Sequence, residues 1–101
     1  MSVLVLLRMK GDASQVEKMA ADDPAMLKTI VDRATSHGLL RHRFFGTNDE
    51  IVVVDEWPDE ASFQKFFESS PEIPKLLEAA GVTSAPEILF ARQLDVNDAV
   101  G

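Results

Sequence analysis

Residues 39–69, LLRHRFFGTNDEIVVVDEWPDEASFQKFFES, constrain the fold more than any other stretch of the chain. Residues 39–45 and 50–57 are two strand-like runs rich in β-branched and aromatic side chains. Between them stands Gly46-Thr47-Asn48-Asp49, whose residue types tolerate positive φ, so the pair predicts a hairpin. Pro58-Asp59 then ends the second strand and caps a helix in which Phe63, Phe66 and Phe67 share a face at i, i+3 and i+4.

The flanks supply matching elements. Residues 2–10 (SVLVLLRMK) are a continuous apolar run stopped by Gly11, which suits a strand buried on both faces. Ser14 and Glu17 have capping-box spacing and open a short helix carrying Val16, Met19 and Ala20. Asp23-Pro24 interrupts it and starts a second helix, since proline at the first helical position gives up no needed N–H. Leu27, Ile30, Val31 and Ala34 form its apolar face, Arg33 and His37 sit near its C-terminal end, with His37 read as an exposed cap, and Gly38 supplies the left-handed stop. After the Phe-bearing helix, Ser70-Pro71 restarts a helical pattern with Ile73, Leu76, Leu77 and Ala80, ended by Gly81. Pro74 falls in its first turn, where it costs little. Residues 87–94 (EILFARQL) predict the last strand, and residues 95–101 a polar tail.

The order β, broken α, β, β, broken α, β has an economical solution in an α+β, ferredoxin-like fold. It has a four-stranded antiparallel sheet, with the helices on one face and residues 1–101 in a single domain. The other face of so apolar a sheet would be left open to water. Pairing two such faces gives a two-fold homodimer.

Composition narrows the partners. With 10 Lys and Arg against 17 Asp and Glu, the net charge is -7, which removes general attraction to a phosphate backbone and predicts no nucleic-acid partner. The absence of Cys excludes disulfides, a thiolate nucleophile and a cysteine zinc site, and fits a cytoplasmic location. Two His do not make a rich metal site, and no apolar run reaches the ~20 residues of a membrane span. No phosphate loop, Ser-His-Asp pattern or metal-ligand cluster is visible, so neither cofactor nor metal is expected.

At GLLRHRFF followed by EIVVVDEWPDEASFQKFFES, the chain resembles the dimeric α+β barrel superfamily and, within it, the antibiotic biosynthesis monooxygenase-like proteins. The resemblance rests on a Gly-led second strand from Gly38, a third strand ending Asp55-Glu56-Trp57, and a helix opening with Asp59, Glu60 and Phe63. It is strong over the central third and elsewhere carried by element order. It implies a range of activities, from cofactor-free oxygenation of quinol-like aromatics to isomerisation and haem degradation. Phe66 and Leu76 stand where haem-degrading relatives place a Trp and a ligand His, and the first strand has no matching Asn, so the resemblance does not extend to that haem site.

The candidate chemistry is then short. His42 shares a strand face with Leu40 and Phe44, and a hairpin closed by a two-residue turn sets it opposite Asp55, an acid–base pair or a structural hydrogen bond. A slip of one residue would instead set Arg41 against Asp55. Trp57, Phe63, Phe66 and Phe67 are candidate walls for a planar ligand and equally candidates for core. Two readings follow: a cofactor-independent monooxygenase or isomerase acting on an aromatic or polyketide-like molecule, and a non-catalytic dimeric module that binds a small apolar ligand or scaffolds.

Overall fold

The computed structural model describes residues 2–101. The elements are β1 (Val3–Lys10), α1 (Ala13–Asp22), α2 (Pro24–Ser36), β2 (Arg41–Gly46), β3 (Glu50–Trp57), α3 (Glu60–Ser69), α4 (Glu72–Ala79) and β4 (Glu87–Ala91). The strands form one sheet in the order β2-β3-β1-β4, antiparallel at every neighbouring pair. This is the expected α+β, ferredoxin-like arrangement, with the two strands joined by each broken helix kept apart in the sheet.

Alternation along the strands sorts their side chains. Val5, Leu7 and Met9 of β1 and Ile51, Val53, Asp55 and Trp57 of β3 are buried on the side that faces the helices. They share one core with Val16 of α1, Ile30 and Ala34 of α2, Phe63 and Phe66 of α3, and Ile73 and Leu76 of α4. The opposite side carries Leu4, Leu6, Val52, Val54 and Leu89, with no helix over it. β1, expected to be buried on both faces, is therefore covered on one within the protomer, and Leu4 keeps 38% of its surface.

Some local signals land where the sequence puts them and others do not. Asp12, rather than Ser14, caps α1: its carboxylate accepts from the Ser14 N–H at 2.9 Å and from the Ser14 hydroxyl at 2.6 Å. Asp23 occupies the N-cap of α2 without a side-chain bond, and Pro24 begins the helix as expected. Asp59 caps α3 by accepting from Ser62 N–H at 2.8 Å. His37 is half-buried rather than exposed, its Nδ1 2.9 Å from the Arg33 carbonyl and its ring 6.0 Å from that of Phe66. Gly38, at φ 111°, turns the chain out of α2. Strand β4 stops at Ala91, three residues short of the expected end.

The hairpin turn uses different chemistry from the expected one. No residue between Gly46 and Glu50 takes a positive φ. Instead the Thr47 hydroxyl accepts from Glu50 N–H at 3.1 Å, while Thr47 N–H donates to the Glu50 carbonyl at 2.9 Å. A side chain thus closes the two-residue turn Asn48-Asp49 and fixes the register of everything beyond it.

Candidate functional site

That register pairs Gly46 with Ile51, Phe44 with Val53, His42 with Asp55 and Arg41 with Glu56. The slipped alternative, with Arg41 opposite Asp55, does not occur; Arg41 points to the other face and meets Glu56 at 3.4 Å. His42 and Asp55 therefore come together on the helix-facing side of the sheet, with Nδ1 2.7 Å from Oδ1. Asp55 is buried, and the side chain of His42 keeps 23% of its surface.

The second carboxylate oxygen is also engaged, because the Trp57 indole Nε1–H donates to Oδ2 at 3.2 Å. A carboxylate that accepts at both oxygens takes the Nδ1–H of the imidazole, and Nε2 has no hydrogen-bond partner among the described residues. Phe44 meets the imidazole edge-on at 4.8 Å and 86°, limiting its rotation from the other side.

Between the sheet and the four helices lies a cavity of about 80 Å³. Its wall is apolar except for His42 and Asp55. Phe63, Phe66 and Phe67 line it, as the i, i+3, i+4 stripe allows, with Phe63 stacked on Phe67 at 5.4 Å and 25°. Trp57 does not line it. The indole is wholly buried behind Asp55, packed against Phe63 at 5.7 Å and Phe66 at 5.4 Å.

Sequence reasoning left out the far wall, where Leu27, Ile30 and Val31 of α2 and Leu76 and Leu77 of α4 face the same space. Their helical stripes are plain in the sequence, but a stripe does not say which stripe it meets. That Trp57 and Asp55 share a face follows from strand alternation, but the hydrogen bond between them depends on where α3 sets the indole. Among the described residues no group of three or more His, Asp or Glu is placed to hold a metal ion.

No family model matches the chain, and no curated protein matches it. Solved structures do. A dimeric ferredoxin-like protein from an uncultured marine organism superposes with a TM-score of 0.64 at 16% identity, covering 98% of this chain and 93% of its own. The fold is ferredoxin-like. An antibiotic biosynthesis monooxygenase is similar at a TM-score of 0.63 and 11% identity, over 91% of this chain and 98% of the other. SnoaB of Streptomyces nogalater, a cofactor-independent oxygenase, is similar at 0.57 and 17%, over 95% and 97%. These likenesses bear out the resemblance of the central strands and helix to antibiotic biosynthesis monooxygenase-like and dimeric ferredoxin-like proteins, at the level of fold.

Proposed function

We propose that the protein is a cofactor-independent monooxygenase or isomerase of a small aromatic or enolisable compound, with His42 as its proton acceptor. A single observation carries this reading: Nε2 of His42, which has no hydrogen-bond partner among the described residues, belongs to a residue that lines an otherwise apolar cavity and is oriented by Asp55. Nε2 takes a proton from an acidic C–H or phenolic O–H, and the apolar wall of Phe63, Phe66 and Phe67 keeps water from the resulting anion. In an isomerase the proton returns at a second carbon. In an oxygenase the anion itself supplies the electrons to dioxygen, so that a CH₂ group and O₂ become a carbonyl and water. SnoaB's description as a cofactor-independent oxygenase supports the second course.

A non-catalytic ligand-binding or scaffolding module is the second reading, and the size of the cavity favours it. At about 80 Å³ it is smaller than the ~150 Å³ engineered cavity that takes up benzene, so a ring system needs the helices to part. Oxygen uptake with a panel of hydroxylated one- to three-ring aromatics separates the two. Uptake, or exchange of a ligand C–H with solvent deuterium, that exceeds the blank and is lost in His42→Ala supports the enzyme; saturable binding with neither assigns the module.

The assembly we propose is a homodimer through the open sheet faces, supported by the dimeric relative. Register aligns Arg43, Val54, Leu6 and Leu89 across that face, and Phe45 adjoins Val52. Ion pairs from Arg8 to Glu50 and from Arg41 to Glu56 neutralise the flanks of this apolar band. No helix among the described residues is long and apolar enough to cross a membrane. A cytoplasmic location and no nucleic-acid partner accord with the lack of Cys and the charge of -7.

A further inference from the structure

Asp55 and Trp57 stand two apart on β3, so strand alternation sets both on the helix-facing side. There the indole N–H occupies one carboxylate oxygen and the imidazole the other. Trp57 is wholly buried and reaches no part of the cavity wall, so its one polar atom serves Asp55 alone. Nor is the indole plane free to turn. Phe63 meets it at 74° and Phe66 lies over it at 31°, both held by α3.

The order of constraint therefore runs from α3 to the imidazole. The two Phe rings aim the N–H, the N–H pins Oδ2, and the pinned carboxylate presents Oδ1 to His42 in one orientation. A carboxylate with only one donor can swing about its Cβ–Cγ bond and lets the imidazole follow. We infer that Trp57 is a positioning residue for His42, acting through Asp55, and not a wall against which a ligand stacks.

The inference rests on the acid–base reading of His42 for its functional meaning, yet what it says of the imidazole needs no substrate. It makes Nε2 the only ring nitrogen that exchanges a proton with a bound molecule, because Nδ1–H is committed to a carboxylate whose two oxygens are both engaged. It also gives α3 a task beyond packing. Any change that turns the indole turns the imidazole with it.

The test is nitrogen NMR on protein labelled at histidine. Only His37 and His42 contribute, and His37→Gln assigns them. In the wild type the neutral His42 ring is expected to show one protonated nitrogen, Nδ1, and one bare nitrogen, Nε2, well separated in shift. Trp57→Phe keeps an aromatic ring between Phe63 and Phe66 and removes the N–H. In that variant the separation between the two His42 signals is expected to shrink as tautomers mix, while the His37 signals stay in place. An unchanged His42 pattern in folded Trp57→Phe overturns the inference, as does a wild-type ring protonated on Nε2.

Should that variant fail to fold, His42→Ala asks the question from the other side. The indole N–H of the single Trp is then expected to shift, because its acceptor has lost its other donor; an unmoved signal overturns the relay. A locked tautomer in a protein that neither consumes oxygen nor exchanges ligand protons with solvent sinks the enzymatic reading and keeps the relay. Mixed tautomers with His42-dependent uptake do the opposite.

Discussion

His42 Nδ1 and Asp55 Oδ1 stand 2.7 Å apart across the β2–β3 pair, although 13 positions separate the residues in sequence. What brings them together is the turn closed by Thr47. A slip of one residue would send every side chain of β2 to the opposite face and put Arg41 where the imidazole is. The site is thus only as well defined as the hairpin.

Asp55→Ala is expected to destabilise the protein more than a surface change does. It leaves the Trp57 N–H buried without an acceptor and frees the imidazole, and an orphaned buried donor costs roughly 1–3 kcal/mol. Urea titration followed by circular dichroism measures it. A midpoint equal to that of the wild type would show that water satisfies both groups, and that the carboxylate is not needed to hold the strand pair.

Phe66→Ala should be still more costly. Phe66 is buried between the indole and the cavity, and truncating a core Phe typically removes about 3–5 kcal/mol. Native domains have about 5–15 kcal/mol in all, so this truncation removes a large share of the stability. The truncation also enlarges the cavity. A small apolar ring compound should therefore raise the melting temperature of Phe66→Ala more than that of the wild type, by mass action on the folded state. Equal shifts would place the lost volume elsewhere.

How far the sequence could be read follows from which signals are local. Periodicity and punctuation are local, so the four strands, the Asp23-Pro24 break, the Asp59 cap and the glycine stops at Gly38 and Gly81 were all legible. The hairpin register was legible once a two-residue turn was assumed, and with it the His42–Asp55 pair. The role of Trp57 was not. A lone Trp at a strand end fits a wall or a core, and the choice depends on where α3 sets Phe63 and Phe66. The same holds for the cap of α1, where Asp12 and Ser14 are both capping types and the backbone alone selects between them. The volume of the cavity lay furthest from the sequence, since it is a difference between the packing of four helices and the sheet.

Acid should destabilise the fold, and the sign follows from four carboxylates. Asp12 is held below its ordinary pKa first by the Ser14 hydroxyl, Asp59 first by the Ser62 N–H, Glu50 first by its hydrogen bond to Arg8, and Glu72 first by its own backbone N–H with Arg33 adding to it. A group whose folded pKa lies below its unfolded one contributes stability that is complete above the unfolded value, about 4 for these side chains, and is lost as pH falls through the folded value. The melting temperature is expected to decline from about pH 4 downward. Asp59→Asn keeps an acceptor for the Ser62 N–H but no longer titrates, so its acid limb should be shallower than that of the wild type. An equally steep limb would remove the Asp59 cap from the account.

The last expectation concerns the open face of the sheet. Val54 pairs with Arg43 on one side and Leu6 on the other, near the middle of a surface with no helix over it. Its side chain leaves the protomer core untouched, so Val54→Glu should preserve the fold, pairing with Arg43 in the free protomer but forcing two charges to be desolvated at the centre of a paired sheet. Light scattering after size exclusion at micromolar concentration should give twice the chain mass for the wild type and the single chain mass for Val54→Glu, with matching far-ultraviolet dichroism. Arg41→Ala is the control. It breaks an exposed ion pair at 3.4 Å on the rim of the same face, and such pairs contribute about 0–1 kcal/mol, so the dimer should survive it. A wild type that runs as a folded monomer would overturn the barrel assembly. A Val54→Glu protein that remains dimeric would move the interface off the sheet, to the edge strands β2 or β4.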